Sequence, residues 1–226
     1  MNGFSTLIAA LASMLLFGTP AIAAAPATAA DAAMSAVAAA AATAPTTPPA
    51  AVQRAVFAGG CYWCVETAYE GIPGVLDVVS GFSGGKLANP SYERVSAGGT
   101  GHAEVVQVTY DPQKVSYARL LEIFWRNVDP FDGGGQFCDR GDSYRSEVFV
   151  GSQEERQLAE ASKAALEKRF GKPIATRISA AAPFYLAEDY HQDYHTKNPL
   201  RYKFYRASCG RDARLDAIWG KEARGR

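Results

Sequence analysis

The strongest constraint on what this chain can fold into is a change of composition near Gln53. The residues before it contain no lysine or arginine, and Asp31 is their only acidic residue. They are rich in Ala, Thr and Pro, and they supply too few large apolar side chains to build a packed core. We therefore expect one folded domain over residues 54–222, with ordered structure beginning near Gln53 and a short tail at 223–226.

The N-terminal segment has the pattern of an export signal. Its run TLIAALASMLLFG has about the length of the apolar region of a signal peptide and is short for a membrane span. The sequence Ala-Ile-Ala at 21–23 then offers small residues at the spacing of a cleavage site. We expect a signal peptide at 1–23 and an Ala/Pro-rich disordered linker at 24–53. The protein would then be exported, to a periplasmic location, without stable membrane contact after cleavage; an uncleaved anchor is the alternative.

Strand and helix patterns alternate in the rest of the chain. Four segments have strand patterns, namely QRAVFAG, VLDVVSGF, AEVVQVTYDP and EVFVG. Three segments have helix patterns, namely CYWCVETAYE, SYARLLEIFWRNV and SQEERQLAEASKAALEKRF. Ser152 and Glu155 form a capping-box spacing before the last of these helices, and Gly171 follows it. PIATRI is strand-like and LAEDYHQDYHTKN favours a helix.

Long glycine-rich loops separate these elements, and long loops in a compact domain are usually functional. Interspersed strands and helices favour an α+β architecture, in which helices pack on a small mixed sheet as a two-layer sandwich with long irregular loops. The formal net charge of zero provides no attraction for a phosphate backbone, so we exclude nucleic acid as a partner.

The four cysteines restrict the possible chemistry. Cys61 and Cys64 form a CxxC motif that could be a nucleophile with a neighbour, a redox pair, a structural disulfide or half of a metal site. A structural zinc site needs a second CxxC or a paired His/Cys motif, and Cys138 and Cys209 stand alone in the sequence. We therefore expect no metal.

Cys61 is the candidate nucleophile. If the segment that follows is helical, Cys61 lies at the helix N-terminus, where free N–H groups and the helix dipole favour a thiolate. Such a thiolate is reactive at neutral pH. Tyr62 and Trp63 place aromatic surface beside the sulfur, which suits a small apolar group of a substrate. The alternative is an oxidised Cys61–Cys64 pair that braces the fold.

Glu104 is the candidate acid. Side chains alternate between the two faces of a strand, so Glu104 shares a face with the apolar residues Val106, Val108 and Tyr110. A carboxyl in such a row is partly desolvated, which raises its pKa and preserves its proton. The alternative is a glutamate at the strand end that faces water.

Other polar residues lie in loops or in polar segments. Tyr92, Asp139 and Tyr144 are set among glycines and could form hydrogen bonds to an oxygen atom of a substrate. His191 and His195 have a spacing of four residues but lack the adjacent glutamate of a metalloprotease helix, so we interpret them as surface or packing residues.

Six segments together resemble one known family. They are GGCYWCVE, GVLDVVSGFSGG, NPSYERVSAGGTGHAEVVQVTYDP, RGDSYRS, PFYLAEDYHQDYHTKNP and CGRDARL. In this order the sequence is similar to peptide methionine sulfoxide reductase A from about Ala55 to Trp219. The resemblance implies a two-layer α+β fold with a ferredoxin-like core and a wide, solvent-accessible site.

The resemblance also implies an activity, the reduction of methionine-(S)-sulfoxide, free or in proteins, without a bound cofactor. Cys61 then attacks the sulfoxide sulfur, and Glu104 protonates the oxygen. Tyr62 and Trp63 receive the S-methyl group. The residues that position the oxygen and the substrate are Tyr92, Asp139 and Tyr144. Cys61 becomes a sulfenic acid, a second cysteine converts it to a disulfide, and an external thioredoxin-like dithiol reduces that disulfide. We expect a monomer whose partners are oxidised proteins, free methionine sulfoxide and this reductant.

The sequence departs from the family pattern in three places. Tyr62 occupies a position that is more often Phe, and Phe82 one that is more often Tyr. The C-terminal segment lacks the glycine-rich stretch that carries resolving cysteines in many members. Cys209 is the favoured resolving residue, followed by Cys138 and Cys64. Cys64 is closest, but two cysteines three residues apart on a regular helix are poorly oriented for a disulfide.

Two other functions remain open from the sequence. A thioredoxin-like dithiol oxidoreductase would need Cys64 for activity but gives no reason for Glu104 and the tyrosines to converge on Cys61. A non-enzymatic exported domain would pair all four cysteines in stable disulfides.

Overall fold

The computed structural model describes residues 51–225. The predicted signal peptide and nearly all of the predicted linker lie outside these residues. Within 51–225, none of the helices combines the length and the apolar character that crossing a bilayer requires.

Eight strands lie within residues 51–225. Their bounds are β1 Gln53–Gly59, β2 Val75–Ser83, β3 Ala103–Tyr110, β4 Gly135–Gln136, β5 Asp139–Arg140, β6 Ser146–Val150, β7 Arg177–Ala180 and β8 Tyr185–Leu186. Six of them form one mixed sheet, in the order β7-β6-β1-β3-β2-β8. Strands β6 and β7 run parallel, and the other neighbours run antiparallel. Strands β4 and β5 form a separate small hairpin.

Seven α-helices lie within residues 51–225. Their bounds are α1 Tyr62–Tyr69, α2 Tyr92–Ser96, α3 Tyr117–Arg126, α4 Gln153–Phe170, α5 Tyr194–Lys197, α6 Pro199–Ser208 and α7 Arg211–Trp219. Short 3₁₀ turns occur at Asp142–Tyr144, Asp189–His191 and Gly220–Glu222.

The main core lies between one face of the sheet and helices α1, α3, α4 and α7. The predicted apolar stripe of α3 is buried there, and its members are Tyr117, Leu120, Leu121, Phe124, Trp125 and Val128. Phe57 of β1 stacks on Phe124 with ring centroids 5.4 Å apart. A smaller apolar cluster covers the opposite face near Ala103 and Val105. The expected two-layer α+β architecture is confirmed.

The sequence patterns locate most elements of the first two thirds of the domain. The predicted caps of α4 are confirmed, because the Ser152 hydroxyl accepts a hydrogen bond from Glu155 N and Gly171 adopts a left-handed conformation with φ 65°. Two predictions are wrong. The strand expected in PIATRI begins only at Arg177, and LAEDYHQDYHTKN forms a 3₁₀ turn and the four-residue helix α5 instead of one helix. Gln192, in extended conformation, separates these two turns.

A tight turn connects β1 to α1 and positions the start of the helix. Gly60 adopts φ +83°, and a Cβ atom on it would lie 2.5 Å from Cβ of Gln136. That separation is shorter than any ordinary carbon contact, and the positive φ disfavours other residues. Only glycine therefore fits at the position before Cys61.

Candidate active site

Eight residues line one cavity of about 220 Å³. Seven of them are the sequence-predicted residues of the nucleophile, acid and substrate-binding sets, and the eighth is new. The lining consists of Cys61, Tyr62, Trp63, Tyr92, Glu104, Asp139, Tyr144 and Tyr205. Their positions span more than 140 residues of sequence, so the fold itself brings them together.

Cys61 is the N-cap residue of α1. Its backbone is non-helical, with φ −53° and ψ 117°, and its carbonyl accepts hydrogen bonds from Cys64 N at 3.1 Å and Val65 N at 3.3 Å. Its side chain is only 6% exposed, yet it lines the cavity. The predicted position at a helix N-terminus is confirmed.

The two thiols of the CxxC motif are free, buried and in contact. Burial raises the pKa of the Cys61 thiol, and the neighbouring Cys64 raises it further. The pKa of Cys64 is lowered to about 6, first by a hydrogen bond with Cys61 and then by the charges of Arg211 and Arg206. The directions of these shifts favour a negative charge on Cys64 over one on Cys61. This differs from the expected Cys61 thiolate, because burial opposes charge on Cys61 while two cations favour it on Cys64.

Arg211 supports both this charge and the turn before Cys61. It is 1% exposed, and Nη2 donates to the carbonyls of Gly59 at 3.0 Å and Asn127 at 2.8 Å. None of the ion pairs found within residues 51–225 includes Arg211. An unpaired buried cation is costly, and a thiolate on Cys64 offsets that cost.

Glu104 lies at the start of β3 and is 3% exposed. Its Oε2 accepts a hydrogen bond of 3.0 Å from Tyr62 N, the first residue of α1. Burial raises the pKa of Glu104 to about 8 and outweighs the opposite effect of this hydrogen bond. The carboxyl therefore holds its proton at neutral pH, as the alternation in β3 predicts, and the alternative of a solvated glutamate is excluded.

Tyr92 and Tyr144, which the sequence places in loops, lie in α2 and in a 3₁₀ turn and are hydrogen-bond donors at the same cavity. Burial raises the pKa of Tyr92 and of Tyr144, and the carboxyl of Glu104 adds to both shifts. Their side chains interact with each other. Tyr92 begins α2, and its backbone N donates to Oε1 of Glu188 at 2.9 Å, which fixes the helix start. Both hydroxyls keep their protons and can donate to a substrate oxygen.

Trp63 forms an aromatic wall of the cavity, and three other rings contact it and fix its position. Its Nε1 donates to Nδ1 of His191 at 3.2 Å. Tyr194 stacks on it with ring centroids 3.6 Å apart, and Tyr205 packs edge-on at 5.8 Å. His191 is 2% exposed, which confirms the prediction that it is a packing residue. Tyr62, on the other side, packs at 6.0 Å against Phe82, and its buried hydroxyl has no partner within residues 51–225.

Cys138 and Cys209 are joined by a disulfide. Cys61 and Cys64 remain free thiols, so this state contains neither the Cys61–Cys64 brace nor the two disulfides of the non-enzymatic alternative. Cys138 lies at the turn between β4 and β5, and Cys209 follows the end of α6.

Sequence reasoning missed Tyr205 and Arg211. Tyr205 donates a hydrogen bond of 2.5 Å to Oδ2 of Asp139, and it also interacts with the Cys61 sulfur. One signal could have found Tyr205, since it lies four residues before Cys209 and so one helical turn away. Nothing in the local pattern around Arg211 identifies a buried cation.

Known proteins with similar sequences share one activity name. A family model described as peptide methionine sulfoxide reductase matches residues 53–223. Peptide methionine sulfoxide reductase MsrA 2 of Caulobacter vibrioides is 53% identical over 169 residues, which cover 74% of this chain and 86% of that protein. Peptide methionine sulfoxide reductase MsrA of Bacillus licheniformis is 50% identical over 170 residues, which cover 74% of this chain and 94% of that protein.

Two solved structures have the same fold. Mxr1 from Saccharomyces cerevisiae in reduced form superposes with a TM-score of 0.62 at 33% identity, over 69% of this chain and 90% of that one. Methionine sulfoxide reductase A of Corynebacterium diphtheriae gives a TM-score of 0.60 at 32% identity, over 70% of this chain and 79% of that one.

The charge distribution of the cysteine pair gives a first testable prediction. Because the lowered pKa belongs to Cys64, a thiolate absorbance near 240 nm forms as the pH rises through about 6 in the wild-type protein. Cys64→Ser moves this step to higher pH, since the remaining thiol of Cys61 is buried. The measurement is an ultraviolet pH titration of both single variants, Cys64→Ser and Cys61→Ser. A step near pH 6 that survives in Cys64→Ser would place the charge on Cys61 instead.

Proposed function

The chain belongs to the peptide methionine sulfoxide reductase A family, and on this basis we propose that Cys61 is the nucleophile of a sulfoxide reduction. The protein is a thiol-dependent oxidoreductase that converts methionine-(S)-sulfoxide to methionine and so repairs oxidised proteins. The single observation that supports the assignment of roles is the shared cavity of Cys61, Glu104, Tyr92 and Tyr144. A dithiol oxidoreductase acting on disulfides gives no reason for Glu104 and two tyrosine hydroxyls to converge on Cys61.

The first step combines attack and proton donation. Sγ of Cys61 attacks the sulfoxide sulfur, and its proton passes to the thiolate of Cys64, which is in contact with it. Glu104 gives its proton to the oxygen, while the hydroxyls of Tyr92 and Tyr144 donate hydrogen bonds to the charge that develops there. Transfer of the oxygen then leaves methionine and a sulfenic acid on Cys61.

The aromatic residues explain the preference for a methyl sulfoxide. Trp63 and Tyr62 present apolar surface beside the attacking sulfur, and the S-methyl group fits against this surface. Asp139 lines the same cavity and can accept a hydrogen bond from the substrate backbone. The apolar surface and the oxygen-binding groups are different residues, and this arrangement distinguishes the two configurations of the sulfur.

We propose Cys64 as the residue that resolves the sulfenic acid. Cys138 and Cys209 are bonded to each other, whereas Cys64 carries a free sulfur in contact with Cys61. Cys61 is an N-cap residue and not part of the regular helix, so the poor orientation expected for two cysteines on one helix does not apply. After it has accepted the Cys61 proton, Cys64 is a thiol. Its condensation with the sulfenic acid yields a Cys61–Cys64 disulfide and water.

The reduced state must be restored by an external dithiol, and we propose a thioredoxin-like protein for this role. A dithiol reduces the Cys61–Cys64 disulfide by exchange through a mixed disulfide and is itself oxidised to a disulfide. No bound cofactor is needed in this cycle, because both electrons come from the dithiol.

We further propose that the protein works outside the cytoplasm. The support is the signal-peptide pattern of residues 1–23, with its apolar run and the small residues at 21–23. In an oxidising compartment a disulfide such as Cys138–Cys209 persists.

The proposed chemistry predicts the kinetics of two variants. Cys61→Ser abolishes reduction of the S epimer of a methionine sulfoxide derivative, and the wild type spares the R epimer.

Glu104→Gln keeps an acceptor for Tyr62 N but has no proton to give, so the rate of sulfenic acid formation falls by roughly 100-fold. Because the pKa of Glu104 is about 8, the wild-type rate falls as the pH rises above that value, and the variant lacks this decline. Rapid-mixing single-turnover experiments measure both the rate of sulfenic acid formation and its pH dependence. Equal rates for Glu104→Gln and the wild type would show that Glu104 is not the acid.

The identity of the resolving residue can be tested by trapping. After one stoichiometric turnover without reductant, Cys64→Ser retains a sulfenic acid that reacts with dimedone, and mass spectrometry finds the adduct on Cys61. Cys209→Ser is the matched control, and it forms the Cys61–Cys64 disulfide without an adduct. If Cys209→Ser is the variant that accumulates the adduct, the order favoured by the sequence is correct and Cys64 is not the resolving residue.

Export makes a prediction about the mature N-terminus. Expressed with its full sequence in a Gram-negative host, the protein appears in the periplasmic fraction and begins at Ala24. The control variant Leu15→Arg/Leu16→Arg interrupts the apolar run, and it stays in the cytoplasm with Met1 or Asn2 at its N-terminus. N-terminal sequencing of each fraction distinguishes them; an uncleaved wild-type protein in the membrane fraction would instead support the anchor.

A further inference from the structure

The Cys138–Cys209 disulfide lies directly behind one wall of the substrate cavity. Asp139, the residue after Cys138, and Tyr205, one helical turn before Cys209, both line the cavity. Oδ2 of Asp139 is 3.9 Å from Sγ of Cys209, and the backbone N of Cys138 donates to the same sulfur at 3.2 Å. The disulfide thus joins the two segments that supply this wall.

The hairpin that carries Asp139 has a strained turn. Phe137 and Cys138 connect β4 to β5, and Phe137 adopts φ +55°. This left-handed conformation is unfavourable for a bulky residue and persists where surrounding contacts enforce it. Two contacts from outside the hairpin do so, namely the guanidinium of Arg211 at 4.4 Å from the Phe137 ring and the bond from Cys138 to Cys209.

The helix that carries Tyr205 has few anchors of its own. Among the residues of α6 only Tyr202 is buried, while Leu200 is 81% and Phe204 76% exposed. A helix gains most of its stability from a buried apolar face. The position of α6 therefore depends on contacts near its C-terminal end, where Arg206 pairs with Asp212 of α7 at 2.6 Å and the disulfide follows.

The Tyr205 side chain connects the two segments inside the cavity. It donates to Oδ2 of Asp139 at 2.5 Å, and its ring packs edge-on against Trp63 at 5.8 Å. Loosening either segment breaks this hydrogen bond, and the polar side of the cavity then loses its shape.

We propose that the Cys138–Cys209 disulfide is a redox-sensitive clasp that holds Tyr205 and Asp139 in position to bind the sulfoxide substrate. Tyr205 is a positioning residue of the site. The clasp rests on the proposed function, since it concerns the same cavity, but it takes no part in the transfer of the oxygen. An external dithiol opens it by donating two electrons and two protons, which yields the thiols of Cys138 and Cys209 and the disulfide of the dithiol. An open clasp weakens substrate binding and leaves the reaction of Cys61 intact.

The test measures single-turnover rates against the concentration of a methionine-(S)-sulfoxide peptide, without reductant, for protein with reduced Cys61 and Cys64. Cys138→Ser/Cys209→Ser raises the half-saturating concentration by about tenfold and changes the limiting rate by less than about twofold. Tyr205→Phe, which keeps the ring, raises the half-saturating concentration similarly. Adding Tyr205→Phe to the double serine variant causes no further increase, because the two changes remove the same contact. Tyr185→Phe, on β8 outside the cavity, is the matched control and has wild-type values.

Each possible result decides the proposal. Wild-type half-saturation in both the double serine variant and Tyr205→Phe overturns the clasp, as does an additive effect of the two. If the double serine variant has normal single turnovers but no turnover with a protein dithiol, the disulfide is an electron carrier and not a clasp. If the double variant fails to fold by circular dichroism, Tyr205→Phe decides alone. A wild type that does not reduce the peptide contradicts the proposed function and is thereby distinguished from a failure of the clasp.

Discussion

The site depends on one hydrogen bond, from the backbone N of Tyr62 to the carboxyl of Glu104 at 3.0 Å. It connects the first turn of α1, which presents Cys61, to the start of β3, which presents the acid. A hydrogen bond to a carboxylate stabilises the ionised form by about 1.5–3 kcal/mol, and burial of a carboxyl opposes this with several kcal/mol. Burial is the larger effect here and raises the pKa of Glu104 to about 8. The same contact therefore orients the carboxyl without taking away its proton.

A second electrostatic arrangement gives the two cysteines of the CxxC motif different protonation preferences. The buried cation Arg211 holds the turn at Gly59 and favours charge on Cys64, while burial disfavours charge on Cys61. In the proposed mechanism, a thiol at Cys61 beside a thiolate at Cys64 places the base next to the nucleophile. The reacting sulfur would then be deprotonated only as it attacks, which would limit its unwanted oxidation between turnovers, because the thiolate is the form that peroxides oxidise.

Local sequence patterns predict several residues of this site, but other residues could not be predicted because their positions depend on the tertiary structure. Alternation in β3 places Glu104 on the core face, and the glycines before Cys61 place it at a helix start, since both depend only on neighbouring residues. Tyr205 lies on α6, which exposes most of its side chains and lacks an apolar period. Arg211 begins α7, whose apolar residues Leu215, Ile218 and Trp219 favour a helix but do not reveal a buried cation in its first turn. The pairing of Cys138 with Cys209, 71 residues apart, cannot be deduced from spacing. The charge on Cys64 depends on Arg206 and Arg211, which only the tertiary structure brings near.

The two cysteine pairs differ in exposure, and this difference sets how a reductant can reach them. Cys61 and Cys64 are 6% and 1% exposed, whereas Cys138 is exposed at a hairpin turn. Thiol–disulfide exchange requires the attacking sulfur to approach the disulfide directly. Cys61 lines the substrate cavity, so in the proposed cycle a protein dithiol approaches the inner pair through that cavity after methionine has left. Reduction of the inner pair and binding of a new sulfoxide then compete for the same space.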